Sequence, residues 1–196
     1  MASCYEWSNR VHFVVRHMYD IDNNGYLDAH DFECLALRQT VLEGKGEFLK
    51  ERHERNKDIM LGLWNEIADL ADFNKDGQVT VEEFKKAVQN LCVGRSFDQF
   101  PQPLKHAINC QFATTDANGD GLISLDEFRV ECVTRQAFRD LGEIDKCYQK
   151  VLNDDDRRRG GITNARYQEL FAEFLGCPDS SVQGNFLFGP LPLFEN

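Results

Sequence analysis

The sequence has no run of apolar residues long enough to span a lipid bilayer. Its first residues, MASCYEWSNRVHFVVRH, contain no apolar secretory segment, the second residue is not glycine, and the end LFEN is not a prenylation box. Basic residues are also scarce, with 22 Lys and Arg against 33 Asp and Glu, a formal net charge of −11. This charge disfavours nucleic acid and anionic membranes as partners and favours cations. We therefore expect a soluble cytoplasmic protein and consider cations first among its candidate ligands.

The seven cysteines include no CxxC pair and have no regular spacing. Neither a zinc site nor a disulfide framework is therefore indicated, and we expect small buried side chains with reduced thiols, as in the cytosol. The five histidines have no nucleophile partner and no metal-binding spacing. We therefore assign no catalytic residue and expect no enzyme.

Three segments repeat one pattern: DIDNNGYLDAHDF from Asp20, DFNKDGQVTVEEF from Asp72 and DANGDGLISLDEF from Asp116. A divergent fourth copy, DDRRRGGITNARY, begins at Asp155. Apolar residues flank each copy at helical spacing, as in Ile59, Leu63 and Ile67 of the helix before the second copy. The repeats therefore predict an all-α protein of four helix–loop–helix units.

The only strong change of composition lies between the second and third copies, where glycine and two prolines in VGRSFDQFPQP would interrupt a helix. We predict an N-terminal pair of units over residues 1–92, a linker over 93–103 and a C-terminal pair over 104–176. Residues 177–196 form a tail rich in Phe and Leu. Because such a strip would aggregate if exposed, we expect the tail to fold back on the core, in the place a target would take.

Oxygen-bearing residues recur at positions 1, 3, 5, 7, 9 and 12 of the first three loops, with glycine at position 6, a pattern that offers calcium six to eight oxygens. The first loop offers Asp20, Asp22, Asn24, the main-chain carbonyl of Tyr26, Asp28 and Asp31. The second offers Asp72, Asn74, Asp76, the carbonyl of Gln78, Thr80 and Glu83. The third offers Asp116, Asn118, Asp120, the carbonyl of Leu122, Ser124 and Glu127. We predict three Ca²⁺ sites at which Mg²⁺ competes.

Position 12 differs between the loops. Glu83 and Glu127 can each give two oxygens to calcium, and with Thr80 and Ser124 they also spell the capping box that starts a helix. Asp31 is one methylene shorter, and a carboxylate binding through one oxygen suits the smaller magnesium ion better. We therefore expect the first site to discriminate less strongly against Mg²⁺.

The fourth loop carries arginine where ligands are needed. With Asp155 at position 1, positions 3, 5 and 12 become Arg157, Arg159 and Arg166, three cations that we expect to face the ion position and to exclude an ion. Its shape-giving residues remain, among them Ile162. We predict short antiparallel contacts of Leu27 with Val79 and of Ile123 with Ile162, which would make this loop the structural partner of the third.

The sequence resembles the invertebrate sarcoplasmic calcium-binding proteins, especially those of arthropods. The resemblance runs nearly end to end, through NRVHFVVRHMYDIDNNGYLDAHDFECLALR, LWNEIADLADFNKDGQVTVEEFKKAVQNLCVG, DANGDGLISLDEF, GGITNARYQEL and LFGPL. It implies a compact body of four EF-hands in two paired lobes, the first three hands occupied, acting as a calcium and magnesium buffer in muscle sarcoplasm. No obligate protein target is implied. Some crustacean members are dimers and food allergens, which leaves a homodimer open here.

Two alternative functions remain on sequence grounds. A calexcitin-like sensor would expose an adaptable, methionine-lined groove, but this chain has three Met and fifteen Phe, which favours a closed core. A coelenterazine-binding, calcium-triggered photoprotein typically keeps the fourth loop and loses the second, the reverse of the pattern here. The buffer is therefore the preferred interpretation.

Overall fold

The computed structural model describes residues 4–135 and 140–194. Its α-helices are α1 (Trp7–Phe13), α2 (Ala29–Glu43), α3 (Lys50–Ala71), α4 (Val81–Leu91), α5 (Gln102–Thr115), α6 (Leu125–Thr134), α7 (Leu141–Val151), α8 (Asp154–Arg159) and α9 (Asn164–Gly176). A π-helical turn (Val14–Tyr19) follows α1, and 3₁₀ turns lie at Phe97–Gln99 and Gln183–Phe186. The strands are β1 (Tyr26–Leu27), β2 (Val79–Thr80), β3 (Leu122–Ile123) and β4 (Ile162–Thr163). The all-α prediction is confirmed.

The four strands pair as the sequence predicted. β1 and β2 are antiparallel with Leu27 opposite Val79, and β3 and β4 are antiparallel with Ile123 opposite Ile162. All four of these apolar side chains are buried. Each loop therefore contributes one buried strand residue to its own pair, and the fourth loop is the partner of the third.

The helices that follow the loops begin at side-chain caps. Asp28 and Asp31 form a capping box at the start of α2, and Ser124 and Glu127 form one at the start of α6. Before α4, the Thr80 N–H donates to Glu83 Oε2, and the Glu83 N–H donates to Thr80 Oγ1. The predicted capping boxes of the second and third loops are thus confirmed, and the start of each helix is tied to residues of its loop.

Residues 14–87 form one compact unit that contains the first two loops. Its aromatic core includes Phe32, whose ring centroid lies 5.8 Å from that of Tyr19 and 5.4 Å from that of Trp64. Between α2 and α3, buried Asn56 donates to Thr40 Oγ1 at 3.2 Å, and Thr40 donates to the carbonyl of Ala36 at 2.7 Å. This network satisfies polar groups that would otherwise be costly to bury.

The other unit comprises the described residues of 1–13 and 88–196 and contains the third and fourth loops. α1 packs against α9 in this unit. Fully buried Arg10 donates to the carbonyl oxygens of Glu173, Phe174 and Cys177, where α9 ends. Burial lowers the pKa of Arg10 to about 10, so the side chain stays charged at neutral pH. It therefore adds a charged donor to the carbonyls at the C-terminal end of the helix, where the helix dipole favours a cation.

The C-terminal segment, residues 183–194, lies against α9 and α7 in the same unit. Phe188 is 1% exposed. Its ring centroid is 4.9 Å from that of Phe174, 5.4 Å from that of Phe171 and 5.9 Å from that of Phe13. The guanidinium carbon of Arg135 lies 5.7 Å from the same ring centroid. The aromatic core of this unit therefore includes a residue from the end of the chain.

Candidate metal centres

The first loop brings three carboxylates together. One oxygen each from Asp20, Asp22 and Asp31 lie within 4.8 Å of one another. Asp20 and Asp31 are buried, whereas Asp22 is exposed. Three carboxylate oxygens at this separation, open to solvent on one side, suit a hard divalent cation that keeps some water.

Asp31 serves both the loop and the helix after it. Its Oδ1 accepts from the Ile21 N–H at 2.9 Å and its Oδ2 from the Asp28 N–H at 3.0 Å. Burial raises the pKa of its carboxyl above the usual value, and the two N–H donors partly offset this increase. A bound cation would favour the ionised form in the same way as those donors.

Asp20 also pairs with the guanidinium of Arg16, four residues earlier in the chain. An ion in the first loop would compete with Arg16 for this carboxylate. Arg16 is not among the site residues predicted from the sequence, although its i,i+4 spacing from Asp20 is a recognised signal for an ion pair. Just before Asp20, the chain has a π-helical turn in which the Asp20 N–H donates to the Val15 carbonyl at 2.8 Å.

The second loop is shaped by hydrogen bonds from backbone N–H groups to its predicted ligands. Asp72 accepts from the N–H groups of Lys75 at 2.7 Å and of Gly77 at 3.0 Å. The backbone is left-handed at position 4, Lys75 with φ of 59°, and at position 6, Gly77 with φ of 82°. Glycine suits this conformation because it has no Cβ. The first position therefore organises the turn that carries the later ligands.

The predicted ligands at positions 3 and 5 of the second loop are hydrogen-bonded to each other. The Asp76 N–H donates to Asn74 Oδ1, and the Asn74 amide donates to Asp76 Oδ2, both at 2.9 Å. Glu83 Oε2 accepts from the N–H and the hydroxyl of Thr80, at 3.0 and 2.8 Å. Gln78 lies next to β2, where its carbonyl is the predicted ligand of position 7.

The third loop repeats this arrangement. Asp116 accepts from the N–H groups of Gly119 at 2.8 Å and of Gly121 at 2.9 Å. Asp120 and Asn118 are linked in the same way as their counterparts in the second loop, at 2.8 and 3.0 Å.

Two further bonds draw position 12 of the third loop towards the other ligands. Glu127 Oε2 accepts from the Ser124 N–H at 2.9 Å, and its Oε1 lies 3.3 Å from the Asn118 N–H that donates to it. The carboxylate of position 12 thus reaches across the loop to position 3. Leu122, the predicted carbonyl ligand, lies in β3.

The remaining predicted ligands of the first loop are also in the turn. Asn24 Oδ1 accepts from the Tyr26 N–H at 3.1 Å, and Asp28 Oδ1 accepts from the His30 N–H at 2.8 Å. Tyr26 begins β1. In each of the three loops, acidic and amide side chains provide the oxygen donors that suit calcium or magnesium, and the donor set fits either ion.

The fourth loop has a different backbone. Its first half belongs to the short helix α8, which is followed by Gly160 with a left-handed φ of 88°. Arg157 donates to Gln149 Oε1 at 2.8 Å and to the carbonyl of Gln149 at 2.6 Å, both on α7. The guanidinium of Arg157 therefore binds α7, whereas the loop pattern predicted that it would face the ion position.

Arg166, at position 12 of the fourth loop, is paired with an acid. Its Nε lies 3.4 Å from Oδ2 of Asp156, which is 1% exposed. Asp156 also forms a capping box with Asn153 at the start of α8. A guanidinium therefore stands beside a buried carboxylate in the loop that lacks the calcium pattern.

A search of residues 4–135 and 140–194 finds no helix long and apolar enough to cross a membrane. The model of the EF-hand domain pair family matches residues 17–89 and 64–129. Sarcoplasmic calcium-binding protein 1 of Astacus leptodactylus is 58% identical over 187 residues, covering 95% of this chain and 97% of that protein. The sarcoplasmic calcium-binding protein of Scylla paramamosain is 59% identical over 187 residues, with the same two coverages.

A solved structure of a sarcoplasmic calcium-binding protein from amphioxus matches with a TM-score of 0.78 and 23% sequence identity. The match covers 98% of this chain and 100% of that one. At this identity the likeness shows the fold alone.

Proposed function

Because this chain belongs to the sarcoplasmic calcium-binding proteins of the EF-hand superfamily, we propose that it buffers calcium and magnesium in muscle sarcoplasm. The protein is a calcium-binding protein and not an enzyme. The proposal assigns one divalent ion to each of the first three loops and none to the fourth. The names of the relatives support a sarcoplasmic location.

The carboxylates of the first three loops support three sites. In the first loop, oxygens of Asp20, Asp22 and Asp31 converge within 4.8 Å. The second and third loops repeat one network of hydrogen bonds around Asp72 and Asp116. With several carboxylates each, sites of this kind bind calcium with dissociation constants on the order of 10⁻⁸ M in cytosolic buffers.

The burial of Phe188 is the observation that favours a buffer over a sensor. A sensor opens on binding calcium and exposes an apolar groove for a target. Here Phe188 packs between the rings of Phe171 and Phe174, which belong to the last helix of the fourth hand. Because the end of the chain already covers these rings, the proposed function needs no protein target.

The first loop is the site at which Mg²⁺ should compete most strongly with Ca²⁺. The carboxylate of Asp31 is held by two backbone N–H groups, and its short side chain limits its reach towards an ion. Ligation through one oxygen favours the smaller octahedral ion, so Mg²⁺ would compete best at this loop. At rest, calcium uptake there would wait for magnesium to leave.

Isothermal titration with calcium, with and without millimolar Mg²⁺, tests the proposal. We expect three bound ions without magnesium and a weaker apparent calcium affinity when magnesium is present. A fit to two or four ions would contradict the assignment of sites. A dye that reports exposed apolar surface should respond little to calcium, and a large increase in its fluorescence would favour a sensor.

A further inference from the structure

We propose that the guanidinium of Arg166 takes the structural place of an ion in the fourth loop and fastens the C-terminal segment, residues 183–194, without calcium. The proposal rests on the proposed function in one respect, namely that the fourth loop holds no ion. It concerns a contact within the unit that includes residues 88–196. It adds a role for an arginine that the loss of a metal site alone leaves unexplained.

The charges at the two ends of a loop explain why a substitute is needed. In the first three loops, acids stand at positions 1 and 12, and a divalent ion between them would remove their repulsion. In the fourth loop, position 12 is Arg166, and the buried acid that faces it is Asp156 at position 2, one residue after Asp155. A positive side chain at position 12 in place of an acid lets positions 2 and 12 of this loop attract each other directly.

Because Asp156 is buried, its attraction to Arg166 is important for the stability of the fourth hand. Its Oδ1, like Arg166 Nε, has no hydrogen-bond partner among the described residues. The 3.4 Å approach of Arg166 Nε to Asp156 Oδ2 is therefore an ion pair held by charge. A buried carboxylate that loses its counter-charge is strongly destabilised, so the fourth hand depends on Arg166.

The other two nitrogens of the guanidinium extend the contact outwards. Nη1 donates to Glu169 Oε2 on α9 at 3.0 Å, and Nη2 donates to Gln183 Oε1 at 2.6 Å. One planar cation thus joins the loop, the following helix and the C-terminal segment. Arginine presents several N–H donors in a fixed fork, which a metal-free site can use in this way.

Gln183 also connects the C-terminal segment to the end of α7. Its amide nitrogen lies 3.3 Å from the carbonyls of Lys150 and of Leu152 and donates to both. The next residue, Gly184, donates its N–H to Glu173 Oε2 at 2.8 Å. A Cβ on Gly184 would come within 2.3 Å of the Leu170 carbonyl, so the backbone passes close to α9. The segment is therefore held against the fourth hand at Gln183 and Gly184, shortly before Phe188.

The consequence is a C-terminal segment that stays docked at every calcium concentration. Neither the Arg166 pair with Asp156 nor its bond to Gln183 uses a ligand of the first three loops. Filling or emptying those loops should therefore leave the segment over Phe171 and Phe174. A buffer that keeps its apolar core covered while ions leave differs physically from a sensor that uncovers one.

Hydrogen exchange of the full-length protein tests the inference, with and without EDTA, followed by mass spectrometry of a peptide covering residues 183–191. In the wild type we expect EDTA to change the protection of this peptide less than about threefold. Arg166→Gln should reduce protection in EDTA by at least about tenfold, because a charge-assisted hydrogen bond and a buried ion pair are lost together.

Two other variants keep the test decisive. Gln183→Ala removes the acceptor on the segment and leaves the buried pair in place, so it gives a result even if Arg166→Gln fails to fold. Arg158→Gln breaks an exposed pair with Asp155 on α8 and should leave protection unchanged. Equal protection in wild type and Gln183→Ala, or loss of protection in the wild type on adding EDTA, would overturn the inference.

The same samples separate this inference from the proposed function. Calcium titration of Gln183→Ala should still give three ions, because no loop ligand has changed. A stoichiometry below three in the wild type would contradict the proposed function. The exchange result in EDTA would still decide whether the C-terminal segment stays docked without calcium.

Discussion

Replacement of Phe188 by alanine tests whether the end of the chain is part of the core. Phe188 is 1% exposed and packs against three aromatic rings, those of Phe13, Phe171 and Phe174, with centroids 4.9 to 5.9 Å away. These neighbours belong to α1 and α9, whose backbones are joined to each other through Arg10. We therefore expect the surrounding side chains to collapse only partly into the space left by the ring.

The expected cost follows from that limited collapse. Phe→Ala changes in rigid cores lower the free energy of unfolding by about 3–5 kcal/mol, and aromatic contacts add about 0.5–1.5 kcal/mol per pair beyond area burial. The Arg135 guanidinium near the ring would lose a further favourable contact. Since the segment could detach in the variant and relieve part of the cost, we expect a loss of about 4 kcal/mol rather than the sum.

Urea unfolding in saturating calcium, followed by circular dichroism, measures this loss. Leu193→Ala is the matched control, because Leu193 lies in the same segment but is 56% exposed and should cost less than about 0.5 kcal/mol. Binding of an apolar dye should rise in Phe188→Ala and stay unchanged in the control. A loss below about 1 kcal/mol for Phe188→Ala, equal to that of the control, would refute the packing argument.

Three further predictions concern the ions. Glu83→Gln should weaken calcium binding at the second loop at least tenfold in a calorimetric titration, whereas Glu82→Gln, an exposed neighbour, should change nothing; identical isotherms would contradict the assigned ligand. Asp31→Glu should reduce the shift in apparent calcium affinity caused by millimolar Mg²⁺, and an unchanged shift would remove the argument from side-chain length. EDTA should lower the melting temperature, because an ion present at 1,000 times its dissociation constant contributes about 4 kcal/mol per site, and coincident melting curves would count against ion binding.

The repeated loops were the most predictable part of the structure. Glycine at position 6 and the apolar residue at position 8 fix a local turn and a strand residue, so the pairs Leu27–Val79 and Ile123–Ile162 could be predicted. The capping residues Ser124 and Glu127 likewise follow from short-range spacing. Features of this kind depend on a few neighbouring residues, which a single sequence displays directly.

Contacts between distant segments were not predictable in the same way. Arg10 lies more than 160 residues from the carbonyls it caps, and nothing in its local sequence indicates full burial. Arg157 could be placed at position 3 of the fourth loop, but its donation to Gln149 depends on α8 being helical. Helix formation by DDDRRR follows from acids in its first turn and arginines in its last, a dipole argument that the loop pattern concealed.

The fourth hand combines the two kinds of feature, and together they explain how it would keep its structure if, as proposed, it binds no ion. Strand pairing through Ile162 and the cap that Thr163 Oγ1 accepts from the Arg166 N–H hold the second half of the loop. Neither interaction needs a metal, and both are shared with loops that fit one. In the first half of the loop, helix α8 and the pair of buried Asp156 with Arg166 provide an internal balance of charge. Because both charged groups are side chains of the protein, neither is lost when the calcium concentration falls.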